Sequence, residues 1–302
     1  MRLCVYYLLL YFFTVVYNIA NKRVLNALPL PATMAVVQLF LGIPLFLPLW
    51  IAKPPSHLSS LSPAAVMKVS VAHALGNLAT IYSLGSGAVS FTHVVKSAEP
   101  VFSAVLAGLI MRSVFAPQVY ITLLPIVLGV ALASATELTF SWFGFISAML
   151  SNLFYQLRIV WSKQVIAGGG EAKVSGANLF RVITIVSALF LLPIALYLEG
   201  SLIMPVWRAA AVDEAVARAL VCDILLSGVA YYMYSEIAFW ILDLVHPVTH
   251  AVGNTVKRVV LIVASVIVFQ VPVTLQGAAG SAIAIAGSLL YGLASQKYGS
   301  KS

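Results

Sequence analysis

Long apolar runs separated by short polar breaks make up most of this 302-residue chain. Cutting the sequence at prolines, glycines and charge clusters leaves ten candidate helices. Each is close to the roughly 20 residues that a helix needs to cross the hydrocarbon core of a bilayer. The pattern therefore predicts an all-α membrane protein whose ten transmembrane helices cover residues 4–26, 31–52, 63–85, 88–112, 117–136, 140–167, 173–199, 215–242, 246–269 and 273–297.

The breaks between these runs have physical causes. Prolines at 29, 31, 54 and 55 cannot continue a helix, and the glycines of 85–87 and 168–170 leave the backbone too free to hold one. An even number of spans puts both termini on one side, and the distribution of Lys and Arg favours the cytoplasm-equivalent side. Met1 leads almost at once into an apolar run, so no cleavable presequence is visible, and the earlier removal of a targeting peptide stays open.

A short motif recurs in the two halves of the chain. Thr92-His93 in the fourth span is followed by x-Val, and Thr249-His250 in the ninth span is followed in the same way. We therefore expect one transmembrane domain over 1–302, built from five-helix repeats at 1–137 and 138–302. Because five is odd, the second repeat must run inverted through the membrane, and inverted repeats place substrate sites at their interface near the midplane.

Composition agrees with a membrane protein and excludes several other classes. Hydrophobic residues make up 62% of the chain and charged residues 9%, against roughly 25% charged in soluble domains. The net charge of +8 is not clustered in a solvated run, so a lipid bilayer is the expected partner and nucleic acid is not. Cys4 and Cys222 have no partner spacing, which predicts core residues, no disulfide, no metal site and no cofactor.

Four basic residues fall deep inside the apolar spans, at Lys96, Arg158, Lys257 and Arg258. A cation at such a position is costly and usually faces a cavity. Glu99 stands three residues after Lys96 and would neutralise one of them on the same helix face. About three unpaired cations near mid-membrane would then bind a small phosphorylated anion, the alternative being internal ion pairing or a site nearer the interface.

Polar side chains share helix faces with these cations. The predicted faces are Thr92, Lys96, Glu99 and Ser103 in span four, His250, Asn254 and Lys257 in span nine, and His73, Asn77 and Thr80 in span three. Span eight adds a polar aromatic cluster of Tyr231, Tyr232, Tyr234 and Glu236, in which the Tyr234 hydroxyl either contacts substrate or serves helix packing. Small residues predict a different, close-packing role at Gly129, Ala133, Gly277, Gly280, Ala284 and Gly287.

Three segments together closely resemble the plastid phosphate translocator family, within the drug/metabolite transporter superfamily. They read His-Ala-Leu-Gly-Asn-Leu-Ala-Thr at 73–80, Ser-Phe-Thr-His-Val-Val-Lys-Ser-Ala-Glu-Pro at 90–100, and Pro-Val-Thr-His-Ala-Val-Gly-Asn-Thr-Val-Lys-Arg-Val-Val at 247–260. The resemblance implies ten helices and an antiporter in the inner plastid envelope. Such an antiporter exchanges inorganic phosphate for phosphorylated metabolites and is not an enzyme.

The resemblance also implies roles for individual residues. Thr80, Lys96, Lys257 and Arg258 match the family's phosphate-binding positions, while Tyr234 and Arg158 match contacts to the rest of the substrate. His73 and Asn254 are further candidates because they share faces with these residues. Asn77 stands where triose-phosphate and glucose-phosphate members have His, as in phosphoenolpyruvate-type members. We therefore expect phosphorylated three-carbon substrates: phosphoenolpyruvate, triose phosphates and 3-phosphoglycerate.

Clustered cations also suggest a mechanism of exchange. An empty site holding Lys96, Lys257 and Arg258 together is electrostatically strained, so the carrier should move between its two states only with an anion bound.

Other readings of the sequence stay open. A nucleotide-sugar transporter of the same superfamily would share ten helices and a basic cavity. A lipid-phosphate enzyme in the membrane is disfavoured because the spans contain neither an aspartate-rich metal motif nor a nucleophile elbow. A channel is disfavoured because buried charges of this density should hold an anion. A homodimer is one of the oligomeric states that the sequence leaves open.

Overall fold

The computed structural model describes residues 2–55, 58, 61–112, 114–167, 174–244 and 247–298, apart from the side chains of residues 2, 111, 167, 242–244 and 247–252. Within these ranges the chain contains α-helices and no strand. The helices are α1 Arg2–Ala27, α2 Pro31–Ala52, α3 Pro63–Ser86, α4 Val89–Lys96, α5 Glu99–Met111, α6 Pro117–Ile121, α7 Leu123–Ala135, α8 Trp142–Ala167, α9 Gly176–Ala210, α10 Glu214–Leu244, α11 Pro247–Phe269 and α12 Leu275–Tyr298.

The helices confirm a helical membrane protein. Nine segments of the described chain are long and apolar enough to cross a bilayer, with α4 and α5 forming one of them and α6 and α7 another. α11 is not among the nine, although it occupies the ninth predicted span with 23 residues. Its crossing, and with it the count of ten spans, stays a prediction.

Three of the predicted spans differ clearly from the structure. The fifth, expected to be one helix over 117–136, is interrupted at Thr122 between α6 and α7. α9 was expected to end at residue 199 but continues to Ala210, with Pro193 and Pro205 inside the helix. The fourth span was expected to be continuous, yet α4 ends at Lys96 and α5 begins at Glu99. Pro100 explains this break, because it has no N–H to bond the carbonyl of Lys96.

Helices from the two halves of the chain pack against each other in antiparallel pairs. Tyr6 near the start of α1 meets Trp240 near the end of α10 at 5.9 Å between ring centroids, while Tyr17 further along meets Tyr231 at 5.4 Å. α3 packs along α8 in the same antiparallel sense. The midplane residues of α1, α3, α8 and α10 therefore face one another.

The outer helix pairs close the bundle around this centre. α2 packs on α9, where the Glu199 carboxylate accepts hydrogen bonds from the backbone N–H groups of Ala32 at 2.9 Å and Thr33 at 2.7 Å. These two N–H groups lie in the first turn of α2 and have no partner within the helix, so Glu199 caps α2 from another helix. α7 packs on α12 through the small residues predicted for close packing.

The outer surface is apolar, as a lipid-facing surface must be. Leu109 is 74% exposed and Ile121 is 62% exposed. Cys4 and Cys222 also lie on this surface, so the prediction that they are core residues is wrong. A cysteine behaves as a small apolar side chain, and facing lipid suits it as well as facing the core.

Candidate functional site

Lys96 lies at a junction of three helices. Its Nζ donates to the Ser151 hydroxyl on α8 at 2.5 Å and to the Thr80 hydroxyl on α3 at 3.2 Å. The two hydroxyl oxygens are 2.7 Å apart, and Thr80 also donates to the Gly76 carbonyl at 2.9 Å. The hydrogen-bond partners of Lys96 among the described residues are thus neutral hydroxyl oxygens.

The helix break places this ammonium group. Because α4 ends at Lys96, the residue lies where the carbonyl ends of the peptide dipoles favour a positive charge. The next helix begins at Glu99, where the N–H ends favour a negative charge. One proline-induced break therefore positions two charged residues of opposite sign.

Glu99 is paired with Arg258, and the predicted pairing with Lys96 is wrong. The Arg258 guanidinium donates to Glu99 Oε2, while the Gln156 amide on α8 donates to Glu99 Oε1 at 2.7 Å. The prediction assumed a continuous helix with Glu99 one turn beyond Lys96, and the break removes that geometry. Arg258 is consequently the neutralised cation.

Three cations remain without an acidic partner. Among the described side chains, no carboxylate lies within ion-pair distance of Lys96, Arg158 or Lys257. Lys96 is within electrostatic reach of the other cations, and Lys257 is next to Arg258 in α11. The centre of the bundle therefore carries excess positive charge, as predicted, although the neutralised member of the set differs.

The ring of Tyr155 joins Lys96 to Arg158. Lys96 Nζ is 4.8 Å from the ring centroid and Arg158 Cζ is 5.3 Å from it, both within the range of cation–π attraction. Arg158 also lies 5.5 Å from the ring of Phe239. Its Nε is buried and has no hydrogen-bond partner in the described chain. The guanidinium is packed between aromatic rings, and its Nε donor is available to a ligand.

Polar atoms of α3 face the same centre. His73 is 2% exposed, and its Nε2 is 3.2 Å from the Tyr231 hydroxyl of α10. Asn77 is fully buried, and neither atom of its amide has a hydrogen-bond partner among the described residues. An unpaired buried amide is costly, so Asn77 is a group for which a ligand could provide the missing partners.

Tyr234 and Asn254 lie beside this centre. The Tyr234 ring packs against Tyr17 at 5.4 Å and against Tyr231 at 5.6 Å between centroids. Asn254 is half-buried in α11, one turn before Arg258. His250, which was predicted on the same face, lies outside the described side chains.

The sequence reading missed Ser151, Tyr155 and Gln156, all on α8. Ser151, Tyr155 and Arg158 follow the i, i+4, i+7 spacing that was recognised in other spans, so the same periodicity would have found the first two. Gln156 gave no such signal. Its role depends on the position of Glu99, which is visible in the fold alone.

The predicted polar cluster of span eight is divided between two roles. Tyr232 donates to Glu236 at 2.8 Å, and Arg181 of α9 forms an ion pair with the same carboxylate at 2.5 Å. The sequence reading did not include Arg181. The ion pair joins Arg181 of α9 to a buried carboxylate of α10, so Glu236 stabilises the contact between these two helices. Tyr231 and Tyr234, in contrast, face the central cations.

Comparison with known proteins identifies the family of the chain. The model of the triose-phosphate transporter family matches residues 1–292. The chain is 40% identical to the phosphoenolpyruvate/phosphate translocator 2 of Arabidopsis thaliana chloroplasts, over 93% of this chain and 74% of that protein. It is 41% identical to a triose phosphate/phosphate translocator of non-green plastids from Brassica oleracea var. botrytis, over 93% and 70%.

Two further similarities extend the comparison. The chloroplast xylulose 5-phosphate/phosphate translocator of Arabidopsis thaliana is 40% identical, over 95% of this chain and 69% of that protein. A crystal structure of another protein superposes with a TM-score of 0.57 at 12% identity, covering 97% of this chain and 98% of the other. At that identity the likeness concerns the fold alone.

Proposed function

Because the chain belongs to the triose-phosphate transporter family, we propose that it exchanges inorganic phosphate for phosphorylated three-carbon compounds across the inner plastid envelope. It is a multi-pass membrane transporter and not an enzyme, since the relatives that it matches are translocators. The proposed organic substrates are phosphoenolpyruvate, triose phosphates and 3-phosphoglycerate.

The observation that carries this proposal is the meeting of Lys96 with Thr80 and Ser151, opposite the Lys257-Arg258 pair of α11. A phosphate dianion offers acceptor oxygens to ammonium, guanidinium and hydroxyl donors at once. Thr80, Lys96, Lys257 and Arg258 would bind the phosphate group that all substrates share. Arg258 would exchange the Glu99 carboxylate for phosphate or share its donors between the two.

Arg158 and Asn77 support a carboxylate at the carbon end of the substrate. The guanidinium is separated from Lys96 by the ring of Tyr155 and has an unpaired buried donor, while the Asn77 amide has no protein partner in the described chain. A second negative group a few bonds from the phosphate would meet the guanidinium. Phosphoenolpyruvate and 3-phosphoglycerate have such a group, which favours three-carbon acids.

Alternating access between two inverted repeats, 1–137 and 138–302, is the proposed mechanism of movement. In the two repeats α1 corresponds to α8, and α3 corresponds to α10. Replacing each helix by its counterpart therefore turns the α1–α10 contact into the α8–α3 contact, and both contacts are present and antiparallel. The α2–α9 and α7–α12 contacts each map onto themselves under the same exchange. Rocking of one repeat against the other would expose the central cations to each side in turn.

Strict exchange follows from the charge of the empty site. Arg258 already has Glu99 as a partner, so the repulsion comes from Lys96, Arg158 and Lys257. Closing the site around three like charges in a low-dielectric interior is costly, and a bound anion offsets that cost.

Proteoliposomes test this function. Vesicles loaded with phosphate should take up labelled phosphoenolpyruvate, 3-phosphoglycerate and triose phosphate, with glucose 6-phosphate and a UDP-sugar as comparison substrates. Empty vesicles should take up none of them. Equal uptake into empty vesicles would refute obligatory exchange, while preferential exchange of the UDP-sugar would refute the substrate class.

A further inference from the structure

Tyr17 of α1 has a buried hydroxyl for which the described chain provides no partner. The residue is 3% exposed, and its hydroxyl oxygen has no hydrogen bond. A tyrosine hydroxyl in an apolar interior usually finds an acceptor, because leaving it unpaired is costly. A phenylalanine would keep the ring contacts with Tyr231 and Tyr234 and leave no hydroxyl unpaired. The hydroxyl therefore indicates a hydrogen-bond partner that is not part of the fold.

The surroundings of Tyr17 connect it with the carbon end of the proposed site. Its ring lies 5.4 Å from the ring centroids of both Tyr231 and Tyr234. Tyr231 in turn reaches His73 at 3.2 Å. Asn77, with its unpaired amide, lies one turn after His73 on α3. The Tyr17 hydroxyl is also within electrostatic reach of the hydroxyl of Tyr155, the residue that separates Lys96 from Arg158.

From this juxtaposition we propose that Tyr17 is a specificity-determining residue, whose hydroxyl donates a hydrogen bond to an oxygen on the carbon chain of the organic phosphate. This inference rests on the proposed function and names a contact that inorganic phosphate cannot make. The acceptor is a carboxylate, carbonyl or hydroxyl oxygen. Tyr17 belongs to the first half of the chain and its neighbour Tyr231 to the second. The proposed contact would therefore form between the two halves, at the carbon end of the substrate.

The test compares organic substrate with phosphate in Tyr17→Phe. The change removes the hydroxyl and keeps the ring that packs on Tyr231 and Tyr234. The ratio of the KM for 3-phosphoglycerate to the KM for phosphate should rise about fivefold, the effect of one lost hydrogen bond. The same ratio for n-propyl phosphate, whose carbon chain has no oxygen apart from the phosphate ester, should change by less than about twofold.

A matched control is Tyr6→Phe on the same helix, about three turns earlier. Its ring packs edge-on against Trp240 at 5.9 Å, so it loses a hydroxyl without a connection to the central residues. Both KM ratios should match those of the wild-type protein. If Tyr17→Phe does not accumulate in the membrane, Tyr17→Met fills the space with a flexible apolar chain and gives the same comparison.

The outcomes separate this inference from the proposed function. An unchanged 3-phosphoglycerate ratio in Tyr17→Phe, with active phosphate exchange, overturns the role of Tyr17 and leaves the proposed function intact. An equal rise of both ratios also overturns it, because the hydroxyl would then act through packing or a bound water. A wild-type protein that exchanges no phosphate overturns both.

Discussion

Lys257 and Arg258 are neighbours in α11 with the same proposed ligand, yet their surroundings differ. The Arg258 guanidinium is 9% exposed and forms an ion pair with Glu99, whose second oxygen is held by Gln156. Lys257 has no carboxylate within ion-pair distance among the described side chains. At the residue scale, one cation is thus part of the folded network and the other is unpaired.

This difference predicts different effects on stability for two substitutions that should both abolish transport. Lys257→Met removes an unpaired charge from the interior, so the thermal stability of the purified protein should rise or stay unchanged. Arg258→Met leaves Glu99 without its cation and should cost about 3 kcal/mol, the lower end for a broken buried pair because Glu99 is 29% exposed. Thermal unfolding in detergent and phosphate exchange in proteoliposomes measure the two effects.

A double variant provides the control for this prediction. Adding Glu99→Gln to Arg258→Met removes the stranded carboxylate, so stability should recover while transport does not. Equal destabilisation by Lys257→Met and Arg258→Met would contradict the assignment of the ion pair. Selective loss of one organic substrate in either variant would move that residue away from the shared phosphate group.

At the scale of the helix, the apolar pattern predicted the membrane helices closely and the break inside the fourth span not at all. The length of an apolar run indicates whether a segment can cross the bilayer, but not whether its helix is continuous. The sequence on both sides of Ser97 is apolar enough to be taken as one span. Pro100 was a visible signal for the break. Its consequence, that Glu99 turns from Lys96 to Arg258, required the position of α11.

The sequence predicted the cations of the candidate site but not all of the polar side chains around them. Cations inside apolar spans are conspicuous in a sequence, because each is costly there. A lone amide side chain such as Gln156 is not, since membrane helices also use polar side chains for packing. Residue 199 was the predicted end of the seventh span, whereas Glu199 lies within α9 and caps α2. The pattern within one helix does not predict such a contact with another helix.

The pairing of α7 with α12 gives a prediction at this scale. A Cβ added to Gly129 would lie 2.6 Å from the Gly280 carbonyl oxygen and 2.9 Å from Ala284 Cα, both backbone atoms that cannot move aside alone. Gly129→Ala should therefore force the helices apart and destabilise the protein by about 1–3 kcal/mol. Thermal unfolding of the purified protein measures the change.

Gly108 in α5 is the matched control, because a Cβ there would meet nothing within 4 Å. Gly108→Ala should be neutral or slightly stabilising, since alanine is the better helix former by about 1 kcal/mol. If both alanine variants unfold at the wild-type temperature, the close approach of α7 and α12 is not what holds this part of the bundle together.

For the whole molecule, the arrangement of the helices and the position of the charges depend on the same feature. Helices from the two halves are interleaved, so each half contributes cations to one centre, Lys96 from the first and Lys257 from the second. A movement of one half against the other therefore changes the distances among these charges. We therefore expect binding and movement to be coupled through the electrostatics of these cations.

The proposed phosphate site requires that α11 crosses the membrane, because only then would Lys257 and Arg258 lie near mid-membrane. If it crosses, the loops at Val212 and Val273 lie on one side of the bilayer and Lys297 on the other. We predict that Val212→Cys and Val273→Cys, each in a Cys4→Ser, Cys222→Ser background, react with an impermeant maleimide from the same side of sealed, uniformly oriented vesicles. Lys297→Cys should react from the opposite side. All three positions are exposed, so access to reagent depends on topology.

A chain in which α11 returned to its starting side would give a different labelling pattern. Val273→Cys would then be protected where Val212→Cys reacts, and Lys297→Cys would be labelled together with Val212→Cys. That result would remove the Lys-Arg pair from the membrane centre and with it the proposed phosphate site.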